Sequence, residues 1–350
     1  MKHNIDNCFI DSFIKKDSYR SSLKKTNFII DEIKKSKDTL LTSFLNQFYC
    51  YQKKKLNNLA LYHQKNFKDV IVLGTGGSSK AGRTFVQIAY RTFGRNPKFP
   101  KITFLENIDF QDFNDLFKKI NLKKTGVIVI SKSGETNETL VQFLIFLSKY
   151  KKSSQKKKIQ KHFTVITKKD NSALRNLANE FSIDIIDLDS NLSGRFSAFS
   201  PVGLLPAAIS GLNIKKISEG ALFLLKKTLK KEQKIPSEGA ALHYSAQHSK
   251  INISVLLTYT ERLRNFGFWH EQLIAESLGK KNTGFTPLHS MGATDQHSLL
   301  QLFLEGPKDK LITFITLKKQ KDQIKINNSL IAKVKKLSFL KKKSLNKLLD

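Results

Sequence analysis

Short apolar runs alternate with longer amphipathic stretches through the first half of the chain. The runs are Asp69-Val70-Ile71-Val72-Leu73, Ile102-Thr103-Phe104-Leu105, residues 126–130, Phe163-Thr164-Val165-Ile166 and Ile183-Asp184-Ile185-Ile186. Each has the length of a strand. Between them, residues 81–92, 110–120, 136–150 and 172–181 carry amphipathic patterns of helical length. Strands that alternate with helices predict βαβ units and a parallel sheet. A second cycle follows: 253–257 predicts a strand, 260–278 a long helix and 311–315 another strand. Residues 1–66 are polar and helix-like, with Leu40, Leu41, Phe44, Phe48, Leu56 and Leu59 at helical intervals. The expected organisation is an N-terminal helical segment over 1–66, an α/β domain over 67–190, a connecting segment over 191–238 and a second α/β domain over 239–350. The lysine-rich tail from 318 to 350 is expected to be helical near its end.

Charge changes this picture little. The 350 residues include 61 Lys plus Arg against 29 Asp plus Glu, a net +32. Such a balance suits nucleic acid or an acidic surface. However, the lysines are scattered as well as clustered, and no nucleic-acid motif accompanies them. The expectation is a solvated lysine-rich surface with no nucleic-acid partner, and the run 151–158 reads as an exposed loop. Cys8 and Cys50 have no metal-ligand spacing and suggest neither a disulfide framework nor a metal site. Residues 1–6 lack an apolar signal core. The longest apolar stretch, 202–212, is too short to span a bilayer and contains Pro206. The expected setting is cytoplasmic and reducing, without a membrane partner.

Chemistry gathers at the strand exits, where ligands of parallel sheets sit. Ser131-Lys132-Ser133-Gly134-Glu135-Thr136-Asn137-Glu138-Thr139 follows directly on an apolar run. Its hydroxyls, lysine and glycine suit a phosphate dianion held at a helix start. The plainer alternative is a helix cap, with Ser133 or Thr136 capping and Glu135 or Glu138 favouring the positive end. Gly74-Thr75-Gly76-Gly77-Ser78-Ser79 closes another strand with a tight turn whose backbone N–H groups could approach a ligand. It is neither a dinucleotide fingerprint, since Ser79 stands where the third glycine belongs, nor a P-loop.

Three further residues carry candidate chemistry. Arg195, in Ser193-Gly194-Arg195-Phe196-Ser197, could stabilise an oxyanion or be a surface ion pair. Glu276 lies near the end of a helix closed by Gly279, where the apolar face of Leu273, Ile274 and Leu278 gives way to loop. A carboxylate partly desolvated there would have a raised pKa suited to base chemistry. Glu271, five residues earlier, points another way. His297 sits in a polar loop beside Asp295 and Gln296, which are expected to orient it.

In order, these five motifs resemble those of the glucose-6-phosphate isomerase family, sugar-phosphate isomerases with two flavodoxin-like sugar-isomerase (SIS) domains. The resemblance covers residues 70–310. It implies two three-layer αβα domains with mainly parallel sheets. It also implies interconversion of D-glucose 6-phosphate and D-fructose 6-phosphate through a cis-enediolate, with no metal or cofactor. Ser78, Ser131, Lys132, Ser133, Thr136 and Thr139 would surround the phosphate, with Gly76 and Gly77 in the substrate loop. Arg195 would stabilise the enediolate, Glu276 would move the proton between C2 and C1, and His297 would assist ring opening from the other subunit of a homodimer. Two features depart from the family pattern. Ser193 stands where the arginine motif usually has glycine. The family's terminal segment, with its Asn-Pro-Phe-Asp-Gln-Pro-Gly-Val-Glu-like stretch and catalytic lysine, has no counterpart before Asp350. The second domain is therefore expected to be C-terminally incomplete. The alternatives are a dual phosphoglucose/phosphomannose isomerase and a non-catalytic SIS sugar-phosphate binder; Glu276, Arg195 and His297 argue against the latter.

Overall fold

The computed structural model describes residues 4–49, 52–90, 94–317 and 327–340. Cys50 and the tail residues 318–326 and 341–350 lie outside them. The chain opens with helices α1 (Lys16–Lys35), α2 (Thr39–Asn46) and α3 (Lys53–Asn66). Strands and helices then alternate: β1 (Asp69–Leu73), α4 (Lys80–Tyr90), β2 (Lys101–Leu105), α5 (Phe110–Lys119), β3 (Thr125–Ile130), α6 (Asn137–Lys151), α7 (Ile159–His162), β4 (Phe163–Lys168), α8 (Ala173–Glu180) and β5 (Asp184–Leu188). Three helices follow: α9 (Pro201–Ile209), α10 (Ile214–Leu229) and α11 (Ile235–Gln247). The second alternation runs β6 (Ile253–Thr258), α12 (Arg264–Leu278), β7 (Thr286–Met291), α13 (Gln296–Glu305) and β8 (Lys310–Ile315), and α14 (Asn328–Ala332) lies in the tail.

The first sheet has the order β2-β1-β3-β4-β5 and is parallel throughout. Residues of β3 alternate between two apolar layers. Ile128 and Ile130 join Leu56, Phe85 and Leu204 on one face. Val127 and Val129 join Phe113, Phe143, Phe146 and Leu174 on the other. Helices on both faces explain why a strand in this position can be apolar at nearly every residue. The chain order reverses between β1 and β3, so the crevice at their carboxyl ends is the ligand position of such a sheet.

Helix α9 is buried along its whole length, Pro201 to Ile209. A helix that is apolar all round belongs in a core. Residues 191–238, expected as a connection, thus contain a helix that packs on the first sheet beside α3 and α4. The N-terminal helices also divide: α3 covers the first sheet, whereas α1 lies along α11. Ile14, just before α1, enters a small core with Leu242, Phe285 and Leu311.

The second sheet is parallel, with the order β7-β6-β8. It repeats the arrangement of the first three strands. Strand β7 was not expected from the sequence. Thr286-Pro287-Leu288-His289-Ser290-Met291 has no apolar run and includes a proline, which strands tolerate at sheet edges. The helix expected over 260–278 starts at Arg264, after a 3₁₀ turn over Glu261–Leu263. In the tail, the described residues form α14 and a 3₁₀ turn, Lys335–Leu340. Among the described residues, no helix is long and apolar enough to cross a membrane.

Candidate active site

The exit of β3 leads into α6 through a cluster of hydroxyls. Ser131 is buried, at 1% exposure. Its Oγ accepts a hydrogen bond from the Gly134 N–H (3.1 Å) and lies 3.0 Å from Thr136 Oγ1 and 3.4 Å from Ser133 Oγ. Ser133 and Thr136 are themselves 3.4 Å apart. Gly134 permits this turn: it has φ +71°, and a Cβ there would lie 2.1 Å from Ser172 Oγ. The helix-cap alternative does not describe the arrangement. Thr136 is the residue before α6, yet its side chain makes no cap hydrogen bond. Ser133 Oγ accepts from the Glu135 N–H, two residues on, and closes a turn rather than the helix. Glu135 reaches away to accept from the Ala173 N–H at 2.7 Å. The three hydroxyls therefore face one another in front of the positive end of a 15-residue helix.

Two more expected residues adjoin this cluster. Thr139 is buried on the first turn of α6, and its hydroxyl has no hydrogen-bond partner among the described residues. Lys132 is partly buried, which lowers its pKa; neighbouring Lys168 lowers it further, and Asp189 partly opposes the shift. Lys168 is already paired with Asp170 at 2.8 Å, so Lys132 is the one of the two lysines that suits an anion at the hydroxyl cluster.

The exit of β1 is a 3₁₀ turn, Gly76–Ser78, which carries Ser78 half-buried. Gly77 touches a different part of the chain: a Cβ there would lie 2.5 Å from the Gly194 carbonyl carbon and 2.9 Å from the Arg195 nitrogen. Ser197 Oγ bonds to the Gly194 carbonyl at 2.6 Å and approaches the Gly77 carbonyl at 3.4 Å. The arginine motif, within the expected connecting segment, is a 3₁₀ helix over Gly194–Phe199.

Arg195 is well enclosed, with its side chain 19% exposed. Its Nε donates to Ser277 Oγ at 3.0 Å, and its Nη1 donates to Ser193 Oγ at 2.9 Å. The guanidinium lies 4.5 Å from the centre of the Phe196 ring. Glu276 Oε2 stands 3.8 Å from Nη1, and Glu276 Oε1 accepts from Gln272 Nε2 at 2.6 Å. Gln272 in turn lies against Gly76, with Nε2 3.3 Å from the position of a Cβ there. The structure thus brings together Gly76, Gly77, Arg195 and Glu276.

Glu276 differs from the expectation in one respect. Its side chain is 48% exposed, so it is not desolvated by the fold. It shares the face of α12 with Gln272, one turn away, while Ile274 and Leu278 face elsewhere. Glu271 does point away, accepting from the His289 N–H at 2.9 Å.

His297 is placed apart from this group. It is exposed on the first turn of α13, and no hydrogen bond or ion pair among the described residues joins it to Arg195 or Glu276. Asp295 and Gln296, expected to orient it, hold its loop instead. Asp295 accepts from the Met291 N–H at 2.6 Å; Gln296 accepts from the Ala293 N–H at 3.2 Å and donates to the Tyr259 hydroxyl at 2.7 Å. Backbone donors at the turn outcompete the ring because they are fixed in place.

Sequence reasoning assigned no role to Gln272, Ser277, Ser193 or Trp269, whose Nε1 lies 3.5 Å from the Arg195 carbonyl. Helical spacing marks Gln272, four residues before Glu276. Nothing local marks the serines, because their partner comes from a distant segment or a fold-dependent turn.

The fold, with its strand-exit loops, defines a two-sheet, doubly wound α/β protein of the SIS class. More narrowly, the chain belongs to the phosphoglucose isomerase family, whose model matches residues 40–338. It is 36% identical over 278 residues to a probable glucose-6-phosphate isomerase of Methanococcus maripaludis, a match covering 77% of this chain and 62% of that protein. It is 38% identical over 267 residues to the glucose-6-phosphate isomerase of Methanocaldococcus jannaschii, covering 75% and 63%. Among solved structures, a hypothetical protein from Thermus thermophilus superposes with a TM-score of 0.81 at 26% identity, covering 95% of this chain and 81% of that one. A glucose-6-phosphate isomerase from Chlamydia trachomatis shares the fold, with a TM-score of 0.71 at 18% identity over 96% and 72% of the two chains. The chain spans a little under two thirds of the length of these curated relatives.

Proposed function

We propose that this chain interconverts D-glucose 6-phosphate and D-fructose 6-phosphate by proton transfer through a cis-enediolate. The observation that carries the reading is the placement of Glu276 Oε2 3.8 Å from the Arg195 guanidinium, packed through Gly77 against the strand exits. Aldose–ketose isomerisation takes a proton from a carbon next to a carbonyl and returns it to the neighbouring carbon. One carboxylate does both. Glu276 removes the C2 proton and delivers it to C1, while the O2 hydroxyl proton passes to O1 so that C2 becomes the carbonyl; the other carboxylate oxygen stays on Gln272. Arg195 offsets the oxyanion charge that develops. Ser78, Ser131, Lys132, Ser133, Thr136 and Thr139 hold the phosphate, and that remote binding energy positions the reacting carbons. The bound sugar itself covers the exposed Glu276.

In this reading the functional unit is a homodimer, and His297 serves the partner's site as the group that opens the sugar ring. Its exposure and its separation from the Arg195–Glu276 pair fit a residue that faces outward. Residues 67–190 supply the phosphate end, and 239–350 supply Glu276. The curated relatives are named glucose-6-phosphate isomerases, which supports glucose 6-phosphate as the substrate.

The test is a coupled assay for fructose 6-phosphate formed from glucose 6-phosphate, with Glu276→Gln as control and mannose 6-phosphate as a parallel substrate. Turnover of glucose 6-phosphate alone, lost in the variant, is expected. Comparable turnover of mannose 6-phosphate would point to the dual-specificity enzyme. Saturable binding of the sugar phosphate with no turnover would point to a binding protein.

A further inference from the structure

We infer that Ser193 and Ser277 are positioning residues that hold the Arg195 guanidinium off Glu276, an inference that rests on the isomerase reading above. An arginine this close to a carboxylate has a strong alternative. Two parallel N–H···O bonds would join them into a bidentate pair. Such a pair would spend the cation on the base and the base on the cation, leaving neither for a substrate. The structure does not close it. Nη1 stops 3.8 Å from Glu276 Oε2, beyond hydrogen-bond distance.

Three contacts account for the gap. Ser277 Oγ takes the Nε hydrogen at 3.0 Å. Ser193 Oγ takes a hydrogen of Nη1 at 2.9 Å. The Phe196 ring lies 4.5 Å from the guanidinium. Two in-plane acceptors and one ring fix the position and tilt of a planar group. Nη2 is then the guanidinium nitrogen that has no hydrogen-bond partner among the described residues, and it is the one left for an oxyanion. The two serines come from different places. Ser277 follows Glu276 on α12, so one helix turn positions both base and clamp. Ser193 is two residues before the arginine, at the position where glycine would supply no hydroxyl.

Two measurements test this, one of them independent of turnover. In protein carrying ¹⁵N-arginine, the Nε–H resonance of Arg195, assigned by its absence from Arg195→Lys, should exchange slowly with water. Ser277→Ala should speed that exchange, and Ser277→Thr, which keeps the hydroxyl, should restore it. Unchanged exchange in Ser277→Ala would overturn the clamp whether or not the protein turns over sugar. In the isomerase assay, Ser277→Ala and Ser193→Gly should each lower kcat about five- to tenfold with KM within about twofold, because the interaction acts on the transition state. In an Arg195→Lys background the same two changes should cost nothing further. Equal losses with and without Arg195 would also overturn the proposal. Absence of turnover in the unaltered protein would count against the isomerase reading alone, and the exchange measurement would still decide the clamp.

Discussion

Gly77 meets the backbone of Gly194 so closely that a Cβ on Gly77 would fall 2.5 Å from the Gly194 carbonyl carbon. This contact joins the exit of β1 to the segment that carries Arg195. Gly77→Ala must push the two loops apart. Overpacking of this kind costs about 1–3 kcal/mol. Since reacting groups tolerate little displacement, kcat should fall by at least about tenfold. Urea unfolding and steady-state kinetics on the same preparation check both effects; wild-type kcat in this variant would mean that Arg195 is placed by something else.

Glu276→Gln keeps the shape of the side chain and removes the carboxylate proposed as the base. A general base contributes about 10²–10⁴-fold, so kcat should fall within that range. Stability should barely change. The carboxylate is 48% exposed and its ion pair with Arg195 is long, and such pairs contribute less than about 1 kcal/mol. A thermal melt beside the kinetic assay separates the two. Residual activity above a tenth of wild type would remove Glu276 from its assigned role.

Ser131→Ala strips the centre of the hydroxyl cluster and leaves the Gly134 N–H without its acceptor. An unpaired buried donor costs about 1–3 kcal/mol of stability. The expected kinetic signature is a KM for sugar phosphate raised by about tenfold or more, with a smaller change in kcat, because the phosphate grip is made in ground state and transition state alike. Competition by inorganic phosphate should weaken in parallel; an unchanged inhibition constant would place the anion elsewhere.

Stability should decline as the solution is acidified, and His63 is one cause. It is 1% exposed on α3, with Nε2 3.4 Å from Thr164 Oγ1 and the Tyr62 and Phe67 rings around it. Burial pushes its pKa down from 6.5 to about 4. The unfolded chain takes up a proton near 6.5, and the folded chain does not until about 4. The stabilisation from a neutral His63 is therefore complete above pH 6.5 and is lost as pH falls through that window. It is on the order of 3 kcal/mol. His270 is lowered to about 4 by burial, then by His243 and His289, and acts in the same direction. Urea midpoints should hold nearly level from pH 7.5 to about 6.5 and fall from there to pH 4. A His63→Gln variant should show a shallower decline, and an equal slope would exclude His63 as a contributor.

The proposed sharing of His297 across a homodimer would have a distinctive signature. Glu276→Gln and His297→Ala should each be nearly inactive alone. In a refolded equal mixture, about half the dimers are hybrids with one intact site each, so about a quarter of wild-type activity should return. Recovery near zero would mean that Glu276 and His297 serve the same chain's site or that no dimer forms.

How much was legible beforehand varied with how local the signal is. The strands of the first sheet announce themselves because helices cover both of their faces, and β3 has no polar position between Thr125 and Ser131. Strand β7 stayed hidden because an edge strand tolerates Pro287 and His289. Helix α9 read only as an apolar stretch, since a helix buried all round has no polar face to give it a period. Within the site, Ser131, Ser133 and Thr136 sit in one short segment, and their clustering follows from the strand exit itself. The contacts of Ser193 and Ser277 were not legible, because Ser277 meets Arg195 only when a distant segment is brought to it and Ser193 meets it only through the turn that follows.

By itself, the sequence determined the alternation of strand and helix, the parallel sheets that follow from it, and the positions of the hydroxyl-rich turn, Arg195 and Glu276 along the chain. These are set by short-range periodicity and by residue chemistry, which need no neighbour. Only the tertiary structure decided that Gly77 brings the arginine segment to β1, that Gln272 holds Glu276, and that Glu276 remains open to solvent. It also decided that Thr136 turns its hydroxyl into a cluster instead of capping a helix. The Gly77 contact joins segments more than a hundred residues apart, and its energy is defined only once the packing has fixed where the two segments lie; the Gln272 and Thr136 contacts are near in sequence, and the fold decides only which of several local partners each side chain takes.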